Sequence, residues 1–442
     1  MSSFFLRSPS LPTTAIQKNL PKPTRILSLS NGHGEDEIAV RILEALRQFP
    51  DAPDIVALPL VGEGHAYQKA RFPVIGAVKP MPSGGFIYMD GQQLVRDLQG
   101  GLLQLTLTQL QTIQHWAQEG RGKRGQVCDR VESSLILAVG DIVPLLFAGL
   151  SGAPFAFVGT AKSEYYVRTE TGPLPRRSPL ADLVERWTGC VYYPWERWLM
   201  KQPRCRAIFP RDSITAERLQ RFNLPAFDLG NPMMDGLEWA GEQNVTSTTA
   251  LKILLLPGSR APEAYVNWQL IVKAVCAAAR SLNRPIDFLA AIAPGLDQTQ
   301  LHHVLVEMNW AQQAPSLYQW TESKEQATLT LATHRFAEFL HIADLAIAMA
   351  GTATEQFVGF GKPAITLVGE GPQFTAAFAE AQTRLLGESV TLLANPDLVP
   401  NTIQTLLQDR EGLQQIAANG QRRMGKPGAA QRIAACLLTA IT

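Results

Sequence analysis

The sequence predicts an α/β protein made of two Rossmann-like, doubly wound domains that face each other across a cleft. Two stretches share one opening: a basic residue, an apolar strand, a glycine-containing turn and an amphipathic helix. They are RILSLSNGHGEDEIAVRILEAL from Arg25 and KILLLPGSRAPEAYVNWQLIVKAV from Lys252. Each is typical of the first βα unit of a doubly wound sheet. At 442 residues, the chain is also too long for a single core of ordinary size.

Between the two openings, apolar strands alternate with helical patterns. Strands are predicted at 54–60, 135–139, 154–158 and 206–209, and FDLGNPMMDGL supplies a last strand and a turn. The stretch GQQLVRDLQGGLLQLTLTQLQTIQHWAQ indicates a long helix that is interrupted at Gly100 and Gly101. A further helix begins near Asp212 or Ser213, since either side chain can cap its first turn.

The segment 133–159 is nearly uncharged and has the hydropathy of a membrane span. Asp141, Pro144 and Pro154 make such a span costly. Buried parallel strands are apolar on both faces, so we interpret the segment as a strand, a short helix and a second strand.

The second half repeats the alternation. Its predicted elements are strand 252–256, helix 263–280, strand 286–292, helix 297–308, a helix near 336–342, strand 345–350 and a terminal helix that breaks at Pro427. The polar, unpatterned EWAGEQNVTSTTA is the predicted linker. The predicted divisions are a flexible tail 1–24, an N-terminal domain 25–235, the linker 236–250, a C-terminal domain 251–420 and a C-terminal helix 421–442 in a position to cross back.

Composition limits the classes of partner and the cellular location. The net charge of +1 provides no field to attract nucleic acid. Five widely spaced cysteines without a CxxC pair indicate a reducing compartment and buried thiols. The first 24 residues are rich in Ser and Pro, carry no acid and lack the apolar core of a secretory signal. We expect a cytoplasmic protein with an unstructured tail, and a plastid transit segment is the alternative.

Two loops of the C-terminal domain have the residues of phosphate-binding sites. In PGSR, Gly258 allows close backbone approach, Ser259 donates and Arg260 offers a fork that fits diphosphate oxygens. In AGTATE, Gly351, Thr352 and Thr354 lie at a helix N-terminus, where unpaired N–H groups and hydroxyls hold anions. The nucleotide half of a donor should therefore bind in this domain.

Glu355 lies about one turn into the helix that follows AGTATE. There it can accept hydrogen bonds from ribose hydroxyls, as acidic residues do in other doubly wound folds. The alternative is that Glu355 only complements the helix dipole.

Four segments together resemble a known family: SNGHGEDEIAVRIL, LGNPMMDGL, LLLPGSR and AGTATEQFVGFGKPAITLV. They are similar to the lipid-A-disaccharide synthase-related proteins of the GT-B glycosyltransferase superfamily. The likeness extends more distantly to lipid A disaccharide synthase and to the peptidoglycan glycosyltransferase that forms lipid II. It covers most of 25–440 and implies a nucleotide-sugar donor, usually a UDP-sugar, in the C-terminal domain and a lipid-linked acceptor in the N-terminal one.

Site residues follow from this resemblance position by position. Ser259 and Arg260 match the PGSR loop of the family. Its GTAT-E segment corresponds to Thr352, Ala353, Thr354 and Glu355. The first glycine loop reads NGHGED, which departs from the SGE and GGH forms of better-known relatives, so the identity of the acceptor does not carry over.

The first glycine loop is followed at once by carboxylates, which argue against a phosphate there. We expect this loop to hold a neutral acceptor hydroxyl, with acceptor contacts from Asn31, Gly32, Gly34 and Glu35. The alternative is that Glu35 and the two acids after it only complement the helix N-terminus.

Sugar transfer needs a base for the acceptor hydroxyl and donors for the leaving diphosphate. Asp141 follows the strand LILAVG at its carboxyl end, where doubly wound sheets place their ligands, and is the preferred base. His33 in the glycine loop is the second candidate, since its pKa suits neutral pH, although a loop histidine often only positions substrate. Asp141 is structural if its replacement leaves turnover normal.

No cofactor or metal is expected, because the sequence has no HExxH, no cysteine pair and no Asp-x-Asp. A metal-independent glycosyltransferase, retaining or inverting, is the leading prediction. A UDP-sugar epimerase of GT-B-like architecture and a non-catalytic nucleotide-binding scaffold are the alternatives. A dinucleotide-dependent oxidoreductase is disfavoured because neither glycine loop completes GxGxxG with an acid about twenty residues later.

Membrane contact is predicted at the glycine-bounded loop 86–89, FIYM, which could admit a lipid acceptor. The basic RGKRG at 121–125 could touch anionic headgroups. The alternatives are core packing for the first segment and an exposed loop for the second.

Overall fold

A computed structural model describes residues 23–78, 102–119, 134–174, 187–241, 250–322, 327–369 and 374–439. Several predictions fall outside these ranges: the tail up to residue 22, the loop 86–89, the glycine break at 100–101, the stretch 121–125 and linker residues 242–249.

The N-terminal half folds around a parallel sheet. Its strands are β1 (Arg25–Ser30), β2 (Asp54–Pro59), β3 (Ser134–Gly140), β4 (Phe155–Gly159) and β7 (Cys205–Pro210), in the order β2-β1-β3-β4-β7. A two-residue hairpin, β5 (Arg168–Thr169) with β6 (Gly172–Pro173), lies apart from the sheet. The described helices of this half are His33–Arg47, His65–Lys69, Leu102–Glu119, Ile142–Leu150, Pro194–Met200 and Ser213–Gln220.

The C-terminal half folds around a sheet of eight described strands. They are β8 (Leu251–Leu256), β9 (Ile286–Ala291), β10 (Trp310–Ala314), β11 (Leu317–Trp320), β12 (Ala327–Ala332), β13 (Leu345–Ala348), β14 (Ala364–Leu367) and β15 (Val390–Leu393). The order is β10-β11-β12-β9-β8-β13-β14-β15, and only the β10–β11–β12 edge is antiparallel. Helices are Glu263–Ser281, Gln298–Glu307, Phe336–Ile342, Thr352–Gly359, Ala376–Leu386, Val399–Gln408, Arg410–Met424 and Ala429–Thr439.

From Ser134 onward, the nearly uncharged segment forms strand β3, the helix Ile142–Leu150 and strand β4, which confirms its interpretation as a strand, a short helix and a second strand. Every residue of β4 is buried, as is typical of a central parallel strand. No helix within the described ranges is long and apolar enough to span a membrane.

The C-terminal helix crosses back to the N-terminal half. Asp235 accepts hydrogen bonds from the backbone N–H groups at its start, with Ala430 N at 2.6 Å from Oδ2. Ile433 and Leu437 are fully buried in a core that also contains Ile38 and Ile42 of the helix His33–Arg47. The crossing helix starts at Ala429, so the predicted division at 421 falls inside the preceding helix Arg410–Met424.

Three local predictions need correction. FDLGNPMMDGL forms a 3-10 helix, Pro232–Met234, rather than a strand, because Gly230 and Pro232 interrupt pairing, and the isolated bridge to Ile208 is made by Ala226, just before this stretch. The antiparallel strands β10 and β11 lie where no strand was predicted. Cys436 is half-buried, whereas Cys190, Cys205 and Cys276 are buried as expected, and all four are free thiols.

Candidate active site

The carboxyl ends of both parallel sheets meet at one cleft. From the N-terminal sheet come Asn31 after β1 and Asp141 after β3. From the C-terminal sheet come the loop 257–262 after β8 and the helix Thr352–Gly359 after β13. Arg211, directly after β7, pairs with Glu355 of that helix and so joins the two halves at the site. Ligands bind at this edge in doubly wound sheets.

Asp141 is held by two hydrogen bonds to a single oxygen. Its Oδ1 accepts from Asn31 Nδ2 at 2.7 Å and from Val143 N at 2.8 Å, so Asp141 caps the helix Ile142–Leu150. Gly140 before it has φ +137°, and a Cβ there would lie 2.2 Å from Asn31 Oδ1. Glycine is therefore required at this strand end, and the Asp141 Oδ2 takes no part in either bond.

Burial raises the pKa of Asp141 to about 6, and the neighbouring Glu35 carboxylate adds to the rise. The two hydrogen bonds favour the ionised form and limit the shift. A carboxylate with this pKa is largely ionised at neutral pH and is a stronger base than an exposed aspartate.

The acidic turn after the first glycine loop divides into two environments. Glu35 is half-buried, and its Oε1 accepts from Thr160 Oγ1 at 3.4 Å. Burial raises its pKa, and the positive charge of Arg260 across the cleft opposes that rise. Asp36 instead points inward, accepts from Ser30 Oγ at 2.5 Å, and has a pKa raised to about 7 by burial. Glu35 therefore faces the cleft, and Asp36 belongs to the interior.

The remaining residues of this loop border the same space. His33 and Gly34 are exposed, while Asn31 and Gly32 are buried. A Cβ at Gly34 would meet nothing within 4 Å, so the chain leaves open space there. The helix begins at His33, and both Glu35 and Asp36 lie in its first turn, as the helix-dipole alternative requires.

The PGSR loop opens into the cleft from the C-terminal side. Gly258 has φ +99°, in the region that favours glycine, and a Cβ there would lie 3.3 Å from Met349 O. Ser259 and Arg260 are exposed. The buried Asn267 holds this loop to the end of β13, since its Nδ2 donates to Pro257 O at 3.1 Å and to Met349 O at 3.3 Å.

The AGTATE segment supplies the second anion site. Thr352 is exposed at the first position of its helix, and Gly351 and Ala353 are half-buried beside it. Thr354 differs from its predicted role: it is fully buried, and its hydroxyl donates to Ala350 O at 2.6 Å. A threonine at this helical position satisfies the backbone one turn earlier, so its hydroxyl is turned away from a ligand.

Glu355 takes part in a contact that the sequence did not predict. Its Oε2 accepts from Arg211 Nη2, and the two side chains are only 13% and 5% exposed. Arg211 Nη1 also donates to Thr160 O at 3.1 Å. Thr160 in turn contacts Glu35, so a continuous chain of polar contacts crosses the cleft from the expected ribose ligand to the acceptor loop.

Sequence reasoning missed four residues that build this site: Thr160, Arg211, Asn267 and Gln382. Gln382 Nε2 donates to Ala350 O at 2.8 Å and so steadies the second anion loop. Asn267 carried the clearest signal, because an amide stands on the apolar face that also contains Trp268, Ile271 and Val272. Arg211 and Thr160 each directly follow a strand, β7 and β4, at the carboxyl edge.

Comparison with solved structures identifies the fold. The chain superposes on MurG of Acinetobacter baumannii with TM-score 0.52 at 15% identity, covering 94% of this chain and 99% of that one. It superposes on a UDP-GlcNAc 2-epimerase of Neisseria meningitidis bound to UDP-GlcNAc with TM-score 0.51 at 12% identity, covering 94% and 99%. For CalG4, the calicheamicin glycosyltransferase, the TM-score is 0.54 at 15% identity, covering 93% and 97%. No protein-family model and no curated protein matches the sequence.

The fold is GT-B, with two Rossmann-like domains, as the sequence predicted. Glycosyltransferases and UDP-GlcNAc 2-epimerases share this fold, and both occur among the similar structures.

Proposed function

We propose that the protein is a glycosyltransferase that moves a sugar from a UDP-sugar to a hydroxyl of a lipid or lipid-linked acceptor, without a metal ion. The observation that supports it best lies at the cleft: the half-buried Asp141 is beside Glu35, which feels the charge of Arg260 from the PGSR loop. The four motifs that resemble lipid-A-disaccharide synthase-related proteins favour the lipid acceptor, and the UDP-GlcNAc bound to a structural neighbour agrees with the donor class.

The proposed reaction assigns one task to each side of the cleft. Asp141 takes the proton from the acceptor hydroxyl through Oδ2, and the acceptor oxygen forms a bond to the anomeric carbon. The bond between that carbon and the diphosphate oxygen breaks, and the nucleoside diphosphate leaves with the electron pair. Its charge is met by Ser259, Arg260 and the N–H groups of Thr352 and Ala353. His33, exposed beside the acceptor loop, is the second candidate for the proton.

The nucleotide ribose is assigned to Glu355. Its Oε1 takes no part in the bond to Arg211 and is available to accept from ribose hydroxyls. Asn31, Gly32, Gly34 and Glu35 would surround the acceptor hydroxyl. Such an enzyme would work in the cytoplasm at the inner face of a membrane, where a lipid-linked acceptor is presented.

The test begins with binding. A panel of UDP-sugars is screened by thermal shift, since a ligand at about 100 times its dissociation constant stabilises by about 2.7 kcal/mol. The best donor, carrying a labelled sugar, is then incubated with lipid extract in the presence and absence of a chelator. We expect label in the lipid fraction in both cases, and at least about a hundredfold less with the Asp141→Asn variant.

Two outcomes would replace the proposal. If UDP-GlcNAc is converted to its 2-epimer without acceptor, the protein is an epimerase. If a UDP-sugar binds but no product forms with lipid extract, it is a binding scaffold. Loss of transfer with chelator, restored by a divalent cation, would contradict the metal-independent step.

A further inference from the structure

An apolar surface lies outside the cleft on two neighbouring helices of the N-terminal half. Helices Ile142–Leu150 and Pro194–Met200 cross closely at Gly149, where a Cβ would lie 3.2 Å from Leu199 Cδ2. Residues on either side of this crossing point outward, and their exposed fractions are large for apolar side chains: Leu146 41%, Leu150 50%, Trp195 55% and Trp198 67%. We call these four residues the tryptophan face.

Two exposed basic residues lie beside the tryptophan face. Lys201 and Arg204 are exposed at the end of the second helix, and Arg204 Nη2 donates to Gly149 O at 3.2 Å, which places it next to Leu150. The sequence of the two helices contains one carboxylate, Glu196, which is 1% exposed and paired with Lys162 at 2.6 Å. Among the described residues of these two helices and the turn 201–204, the exposed charges are therefore positive.

Both helices that carry the tryptophan face begin near the candidate active site. Asp141 is the cap of the first helix. The second helix begins at Pro194, and the ring centroid of the preceding Tyr193 lies 4.4 Å from Nζ of Lys162, just after β4. The opposite ends of both helices, at Leu150 and Met200, lie towards the amino edge of the sheet, where β4 and β7 start.

We propose that the tryptophan face docks onto an anionic lipid surface. Tryptophan rings partition to the boundary between headgroups and acyl chains, and lysine and arginine beside them pair with anionic headgroups. The reason for docking, access to a lipid-linked acceptor, rests on the proposed function. Docking itself can be measured without any sugar donor.

The experiment uses the full chain and vesicles of phosphatidylcholine, with and without phosphatidylglycerol. Co-flotation gives the partition coefficient. We expect binding to the anionic vesicles, a loss of at least about tenfold in the Trp195→Ser/Trp198→Ser variant, and a loss of about fivefold or more in Lys201→Glu. Because all three residues are exposed, circular dichroism and the thermal midpoint should stay near those of the wild type.

Matched controls come from other exposed positions. Val306→Ser/Leu398→Ser removes two apolar side chains of comparable exposure, 50% and 47%, from the C-terminal half. Lys69→Glu reverses an exposed lysine that also ends a short helix. Both should bind vesicles like the wild type.

The proposal is wrong if the wild type does not bind vesicles, or if the tryptophan variant binds them equally well. It is also wrong if light scattering shows a dimer that this variant dissociates while vesicle binding is unchanged. Shielding of both tryptophans from acrylamide without vesicles would show that the chain covers them itself and would likewise overturn the proposal. Sugar transfer to a detergent-solubilised acceptor distinguishes the docking proposal from the proposed reaction. If transfer persists where docking fails, only the docking surface is wrong, and if docking persists without transfer, only the proposed reaction is wrong.

Discussion

Asp141 combines two roles that make different demands on a carboxylate. Its Oδ1 caps a helix and accepts from Asn31, so the side chain cannot rotate freely. Its burial raises the pKa to about 6, which leaves the other oxygen basic yet ionised at neutral pH. A fixed direction and a raised pKa are what a base for an acceptor hydroxyl needs.

Replacing Asp141 with Asn separates these roles. The amide oxygen still accepts from Val143 N–H and Asn31 Nδ2, so the fold and the UDP-sugar affinity should be retained. We expect turnover to fall by about 10²- to 10⁴-fold, because the base is lost. The wild-type kcat/KM should decrease as the pH falls through about 6, since protonation removes the base, and the variant should lack this limb. Normal turnover in the variant would make Asp141 structural.

The position of Asp141 at a strand end was predictable from the sequence, because the run LILAVG indicates a buried parallel strand and its last residue marks the carboxyl edge. Its bond to Asn31 was not predictable, since the two residues are 110 positions apart. The inward turn of Thr354 was missed for another reason. The pattern GTAT places hydroxyls near a helix N-terminus but does not say which of them returns to the backbone.

At the scale of elements, the two anion loops depend on side chains from helices behind them. Asn267 of the helix Glu263–Ser281 donates to both strand ends, and Gln382 of the helix Ala376–Leu386 donates to the second loop. Each loop thus has backbone carbonyls satisfied on its inner side. Strands and helices were predicted well because their periodic patterns are local. The hydrogen bonds of Asn267 and Gln382 could not be predicted in this way, since they join elements that are distant in sequence.

Asn267→Leu tests the hydrogen bonds from Asn267 to the PGSR loop, because leucine has similar volume and no side-chain N–H group. Pro257 O and Met349 O would lose a buried donor, so we expect the free energy of unfolding to fall by about 1–3 kcal/mol. UDP affinity should fall by about tenfold as the loop geometry relaxes. Asn401→Leu, at an exposed position of the helix Val399–Gln408, is the control. UDP affinity equal to that of the wild type, with stability reduced as expected, would limit Asn267 to a folding role.

At the scale of the whole molecule, apolar packing and polar contacts join the halves. The C-terminal helix contributes buried apolar packing against the helix His33–Arg47, and Asp235 caps it. The ion pair between Arg211 and Glu355 lies at the cleft itself. The sequence predicted a helix in a position to cross back because Pro427 ends one helix and an apolar pattern follows. It gave no sign of the ion pair, since isolated charges after strands do not reveal their partners.

The pair between Arg211 and Glu355 holds the donor side and the acceptor side together. Both side chains are largely buried, so removing one partner leaves the other charge uncompensated, at a cost of about 3–5 kcal/mol. Arg211→Met should therefore weaken the contact across the cleft and leave Glu355 without its orienting partner. We expect a larger radius of gyration in small-angle scattering and a weaker UDP affinity, with part of both effects recovered in Arg211→Lys.

The control for Arg211→Met is Arg335→Met, which breaks an ion pair with Glu338 three residues away, where the arginine side chain is 47% exposed. A local, exposed ion pair contributes little to stability, so its loss should change neither the radius of gyration nor the UDP affinity. If Arg211→Met scatters and binds UDP like the wild type, the pair does not set the distance between the halves, and Glu355 does not need Arg211 to meet a ribose. If instead UDP binds more tightly to Arg211→Met, the arginine competes with the nucleotide for Glu355 and holds the site closed until donor arrives.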